Sequence, residues 1–406
     1  MMEPELAVGL PAAGSVLAAV LRARPRAALL AAAVLGFLGM GALVLSSPGR
    51  TSDQLGIGLS LSPESRAMLL AAGAALALTV VLAPLAVERA ILLTWGLAGL
   101  AGMAAIAAAG SLEVLILVVL ALSVLQAAAT GGRSFATRLR GPVLGVVLLS
   151  LAAVCARVEG PEFLARFAAV GLVAGLCAAV GALPYMHQFD ADERTATSPI
   201  PWIAFIGPVL ALAVLAQARE LIPTEGGVLG AMLIGLGLLN VVWGSVASWR
   251  TENGAAAWHY SFIADWGLVL CGLGLAIGDG QRAAILVLYG IVLSRLPLYL
   301  WSRQSLREKR PNDRPINLLA AAMLAGSAPF AGFAARVLLL RGATQLYWPL
   351  ALAIGLGLLL WLPPSLRLGR SLGLPRGRQA WGVGVALGIN VVIGLYPQPF
   401  LALAGL

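Results

Sequence analysis

Long apolar runs separated by short polar clusters fill the chain from one end to the other. A helix needs about 20 mostly apolar residues to cross a bilayer. On that measure the runs divide into fourteen candidate spans, at approximately 5–21, 27–47, 66–87, 89–109, 111–130, 141–158, 166–186, 199–218, 228–249, 256–277, 282–302, 316–340, 346–365 and 379–402. The breaks at 87–89 and 109–111 are tight, so counts of twelve or thirteen stay open. The pattern predicts an all-α polytopic membrane protein without a heptad repeat, low-complexity tract or soluble linker. Four regions follow: N-terminal helices over 1–110, a first repeat region over 111–218, a second over 228–365, and a C-terminal helix within 366–406.

Composition supports this pattern. The chain is 60% hydrophobic and 11% charged, with mean hydropathy +0.92, whereas soluble domains hold about 25% charged residues. The net charge of +9 reads as topology rather than nucleic-acid binding, because arginines gather in a few loops. Loops after odd-numbered spans hold Arg22, Arg24 and Arg26, then Arg133, Arg138 and Arg140. Further on they hold Arg303, Arg307, Lys309, Arg310 and Arg314, then Arg367, Arg370, Arg376 and Arg378. Positive charge stays on the cytoplasmic side, so both termini are expected outside a bacterial-type cytoplasmic membrane. The first residues, MMEPELAVGL, lack a basic segment, and no cleaved signal peptide is expected.

Motifs for soluble chemistry do not stand out. Cys155, Cys177 and Cys271 fall in apolar spans without paired spacing, as small buried hydrophobes do. No metal-ligand spacing, phosphate loop or serine elbow is present. No cofactor is expected: quinone, flavin and iron–sulfur sites have no support in the sequence.

The informative residues are those a lipid-buried helix normally avoids. In LAGSAPFAGFAAR (324–336), Gly326 and Ser327 loosen the backbone and Pro329 removes an amide donor. Arg336 puts a permanent charge inside the apolar run. A second proline, Pro184, interrupts GALPYMHQFDADER near the end of the seventh span. Two proline breaks five spans apart suggest two five-helix units, and an odd number of helices makes such repeats inverted. Asp265 is an intramembrane carboxylate, most economically buried against Arg295 or Arg336 in a structural pair or a relay. His259 and Tyr260 either extend a hydrogen-bonded chain toward the cytoplasm or rest on backbone carbonyls. His187, beside Asp190, Asp192 and Glu193, is either a proton mouth or part of a solvated acidic loop.

Three of these stretches resemble the motifs of the proton-conducting, antiporter-like membrane subunits of respiratory complex I, Mrp-type antiporters and membrane-bound hydrogenases. PYMHQFDADERTATSPIPWIA matches through Pro184, His187, Asp192, Pro199 and Pro201, with one residue inserted after Tyr185. WHYSFIADWGLVL matches through Tyr260, Ser261, Ile263 and Gly267, and LAGSAPFAGFAAR through Gly326, Pro329, Gly332, Phe333 and Arg336. The three occur in the family's order and cover roughly residues 110–370, and the short N-terminal pair of spans is similar to the N-type subunit of complex I. The resemblance implies fourteen helices, inverted five-helix repeats, other membrane subunits as partners, and redox chemistry elsewhere in the complex.

The departures shape the expected function. Where the family carries a glutamate in its fifth helix, this chain has no acid after Glu113, at the start of that span. The lysines of the family's seventh and eighth helices fall on Ala179 and on Ala211 or Leu212. In the C-terminal half the charges persist as Arg295 and Arg336. Arginine does not exchange its proton in proteins, so Arg336 reads as a fixed charge, or as a side chain that snorkels or pairs structurally. The sequence therefore predicts an antiporter-like subunit with its N-terminal half-channel lost, working as a scaffold or through Asp265, Arg295 and Arg336. Its rivals are an independent secondary transporter with its site at the broken helices, and, more thinly, a lipid-modifying enzyme using HQFDADER.

Overall fold

The computed structural model describes residues 4–46, 61–82, 86–130, 135–158, 162–186, 202–221, 226–302, 314–375 and 377–406. Every secondary-structure element among them is helical. This is the outcome lipid imposes, because a helix satisfies its own backbone polar groups where no water is available.

Seven helices open the chain: α1 (Pro4–Val20), α2 (Pro25–Leu45), α3 (Pro63–Leu82), α4 (Ala86–Ala108), α5 (Leu112–Thr130), α6 (Phe135–Arg157) and α7 (Glu162–Val180). A π turn, Trp202–Ile206, leads into α8 (Gly207–Leu221), followed by α9 (Gly226–Arg250) and α10 (Gly254–Gly274). The next rod joins α11 (Gly278–Gly290) to α12 (Leu296–Ser302) through a second π turn, Ile291–Arg295. A broken rod follows, α13 (Pro315–Leu324) and α14 (Ala331–Leu346), then α15 (Trp348–Leu360), α16 (Leu362–Arg370), α17 (Arg378–Leu395) and a short α18 (Gln398–Leu403). Among the described residues, eight helical stretches are long and apolar enough to cross a membrane, and five shorter apolar helices accompany them. The protein is an all-α polytopic membrane protein.

Small residues let these rods approach closely, which compensates for the absence of a hydrophobic drive between helices in lipid. A Cβ placed on Gly145 would lie 2.6 Å from the backbone nitrogen of Ala179, so α6 and α7 meet backbone to backbone. The rod Gly278–Ser302 is the axis of the C-terminal half. Its apolar window is 89% buried, against 28% for Trp348–Arg370.

Both π turns have the same local cause. Each ends two residues before a proline, Pro208 and Pro297. The ring removes one amide donor and crowds the carbonyl four residues earlier, and a widened turn relieves that crowding. The second π turn carries Ser294 and Arg295.

The broken rod agrees with the expectation from Pro329: α13 stops at Leu324 and α14 begins at Ala331. At the other break, α7 stops at Val180, four residues before Pro184 and earlier than the apolar run to 186 suggests. Gly181 there has φ +90°. The peptide bonds Leu183–Pro184 and Ala328–Pro329 are both cis. His187 and the HQFDADER loop lie outside the described residues.

Candidate functional site

The α13–α14 break frees backbone groups in a region that apolar side chains fill, and named side chains satisfy them. Trp361 Nε1 donates to the carbonyl of Leu324 at 2.7 Å. The Ser327 hydroxyl donates to the carbonyl of Ala322 at 2.8 Å, and the Ser327 amide to the same oxygen at 3.1 Å. The Ala331 amide, at the start of α14, donates to Asn390 Oδ1 of α17 at 3.1 Å. The break is therefore held by fixed partners, as irregular backbone at membrane depth must be.

Its counterpart near Pro184 is held in the same manner. Asn240 Oδ1 of α9 accepts from the Leu183 amide at 2.8 Å, and Asn240 Nδ2 donates to the Leu183 carbonyl at 3.3 Å. Trp202 Nε1 donates to the carbonyl of Ala179 at 2.7 Å. Each break thus uses one asparagine and one tryptophan. The asparagines follow the segments they brace by 57 and 59 residues.

Among the described residues, charge collects at the second break. Asp265 of α10 and Arg295 of the π turn form a bidentate pair. Arg295 Nε contacts Oδ2, and Nη2 donates to Oδ1 at 2.9 Å. The two residues are 8% and 5% exposed. Arg295 Nη1 also reaches the Ser261 carbonyl at 3.4 Å, and its guanidinium carbon lies 4.7 Å from the centre of the Trp361 ring. Trp361 therefore serves the break through its N–H and the cation through its π face.

Arg336 completes the group. A helical side chain leans toward its own N-terminus, and from α14 that direction leads back to the break. A Cβ on Gly326 would lie 2.5 Å from the Arg336 guanidinium carbon. Gly326 has φ +63°, the left-handed region that favours glycine, so one glycine permits both the turn and the approach of the charge. Arg336 has no ion-pair or hydrogen-bond partner among the described residues. The sequence left Asp265 with two candidate partners; Arg295 forms the pair, while Arg336 lines the same cavity. That cavity, about 50 Å³, is walled by Asp265, Ser294, Arg295, Gly326, Gly332, Arg336 and Asn390, together with apolar residues of α10, α11 and α13.

The remaining sequence candidates lie apart from it. His259 is buried, with its ring 5.7 Å from that of Tyr260. Six residues separate His259 from Asp265, about 240° around the helix, and neither His259 nor Tyr260 lines the cavity. Glu113 pairs with Arg157 at an exposed end of α5.

At the positions the resemblance aligns with lysine, Ala179 and Ala211 are fully buried, while Leu212, the alternative to Ala211, is half-buried. Trp266 Nε1 donates to the Ile203 carbonyl at 3.1 Å, and a Cβ on Gly207 would meet the Trp266 ring at 2.8 Å. Indole rings thus fill the junction between α10 and the start of α8.

Sequence reasoning missed Ser294, Asn240, Asn390 and Trp361. Each asparagine is an isolated amide in an apolar span, a signal for an internal partner that was present in the sequence.

No protein-family model matches the chain, and no curated protein matches its sequence. Solved structures do. A chain of the Mrp complex from Dietzia sp. DQ12-45-1b superposes with TM-score 0.81 at 16% identity, covering 99% of this chain and 51% of that one. A chain of the membrane-bound sulfane sulfur reductase, an archaeal respiratory membrane complex, gives 0.76 at 18%, covering 97% and 76%. A chain of respiratory complex I from Thermus thermophilus, solved with bound NADH, gives 0.75 at 17%, covering 99% and 97%. The protein therefore spans about half the length of the Mrp chain and nearly all of the complex I chain. At these identities the likeness establishes the fold, and the resemblance read from three motifs is met at that level.

Proposed function

We propose that the protein is an antiporter-like membrane subunit of a multi-subunit, complex I-like or Mrp-like assembly, with its N-terminal half-channel lost. One observation carries the reading. A charged centre of Asp265, Arg295 and Arg336 sits at the broken helix of one half, while the matching positions of the other half, Ala179 and Ala211 or Leu212, are uncharged. The fold shared with chains of the Mrp, sulfane sulfur reductase and complex I assemblies supports partnership with other membrane subunits. Fourteen spans in two inverted five-helix repeats fit the near-equal spacing of the two asparagine braces. The arginine loops favour both termini outside a bacterial-type cytoplasmic membrane.

A proton relay needs groups that gain and lose a proton near neutral pH, and arginine is not one. The centre thus acts as a fixed positive field that repels cations and orients neighbouring groups. With Ala179 and Ala211 in solid packing, a scaffold or one-sided role fits better than a through-channel.

Affinity purification of the full chain from native membranes tests the assignment. Other membrane subunits should co-purify, and the chain reconstituted alone should carry no proton flux above empty vesicles. Isolation as a lone stable monomer would sink the subunit reading. Robust flux that survives both Asp265→Asn and Arg336→Ala would sink the site assignment.

A further inference from the structure

We propose that the cavity at the α13–α14 break binds one small inorganic anion of the chloride class, held between Arg336 and Ser294. The inference rests on the reading of Arg295 and Arg336 as fixed charges.

The charges in the cavity do not balance. Two guanidinium groups face one carboxylate, and Arg295 engages both oxygens of Asp265. That pair is closed and neutral. Arg336 is left lining the cavity with no acceptor among the described residues. Arg336 is half-buried, and the single carboxylate near it already engages Arg295 through both oxygens, so the group as a whole keeps one excess positive charge. Water can solvate such a charge but cannot neutralise it.

A second, independent group points to the same ligand. Ser294 lines the cavity and is 4% exposed as a residue, and its buried Oγ has no hydrogen-bond partner among the described residues. Buried hydroxyls are nearly always paired, and a hydroxyl has a proton to donate. The start of α14 also meets the cavity at Gly332, and a helix N-terminus favours negative charge.

Size and sign restrict the ligand. About 50 Å³ has room for a few waters or one small anion. A metal cation would meet two arginines and a carboxylate whose oxygens are already engaged. The bound anion would leave Asp265–Arg295 intact and neutralise Arg336.

The test uses the purified full chain in detergent with gluconate as the only counter-ion, titrated with chloride at constant ionic strength. The readout is the line width of the 35Cl resonance. Saturable excess broadening that bromide and nitrate displace is expected from the wild type. Arg336→Gln should weaken the apparent affinity at least tenfold, while Arg336→Lys retains it. Ser294→Val, which removes the hydroxyl without touching a charge, should weaken it several-fold and covers the case in which Arg336→Gln does not fold. Arg24→Gln, at an exposed loop, should leave it unchanged.

Wild-type protein without saturable broadening would overturn the proposal, as would unchanged affinity in Ser294→Val. Broadening in the isolated chain that vanishes in the co-purified assembly would assign the counter-charge to a partner's acidic side chain, and this also overturns it. Failure of the subunit reading would show differently, as the absence of co-purifying proteins with chloride binding intact.

Discussion

Substitution of Asp265 tests the arithmetic of the charged centre. In the wild type, two guanidinium groups and one carboxylate share the cavity, leaving one excess positive charge. Asp265→Asn raises that excess to two and leaves Arg295 without its bidentate acceptor. Breaking a buried pair by removing one partner costs about 3–5 kcal/mol, and this variant should fall at the upper end. Arg295→Met leaves Asp265 beside Arg336, whose side chain already lines the same cavity and can turn to replace the lost partner. It should fall at the lower end of that range.

The double variant Asp265→Leu/Arg295→Met removes both charges together. Replacement of a buried pair by apolar side chains is often near neutral, and the lost stacking of Arg295 on Trp361 is worth up to about 2 kcal/mol. The double variant should thus lie within about 2 kcal/mol of wild type, far from the ~8 kcal/mol obtained by adding the single losses. Reversible unfolding in mixed micelles, driven by the mole fraction of dodecyl sulfate and followed by circular dichroism, measures these proteins together with Asp265→Leu, the single variant that closes the cycle. Additivity within about 0.5 kcal/mol would refute the pair as a unit. An Arg295→Met loss as large as that of Asp265→Asn would refute the claim that Arg336 stands close enough to substitute.

Two further outcomes follow from the backbone breaks. Gly326→Ala combines a left-handed φ, worth about 1–2 kcal/mol for a residue with Cβ, with a contact at 2.5 Å to the Arg336 guanidinium carbon. Adding Arg336→Ala should remove the clash and leave the backbone part, so full rescue, or none, would contradict that division. Asn240→Leu strips Leu183 of partners on both N–H and C=O, whereas Asn390→Leu frees the Ala331 amide. At about 1–3 kcal/mol per buried unsatisfied group, the first should destabilise more. Hydrogen exchange should then rise at 182–185 in one variant and at 331–333 in the other, and unchanged protection would remove the bracing role.

Much of this protein follows from one-dimensional physics. Lipid allows only self-satisfied backbone, so runs of about 20 apolar residues can be read as helices directly. Prolines at 184 and 329 mark the breaks because a missing amide and a ring clash act within four residues. Asp265, Arg295 and Arg336 were visible because a charge in an apolar run is costly wherever the helix lies.

Which charges meet was decided in three dimensions. Asp265 had two candidate partners on two other helices, and only packing puts Arg295 across both its oxygens while Arg336 turns back onto Gly326. The braces were equally out of reach, since Asn240 and Asn390 act across 57 and 59 residues, and a spacing set by helix lengths leaves no local signature. The packed first half shows the same limit. The sequence recorded alanine, or in one case alanine or leucine, where relatives carry lysine, but only the structure shows how closely Gly145 meets Ala179 and Trp266 meets Gly207. Composition and spacing determined the helices and their breaks, because those depend on each residue's own solvation and backbone. The tertiary structure alone decided the charge balance of the cavity, because that is a sum over three helices.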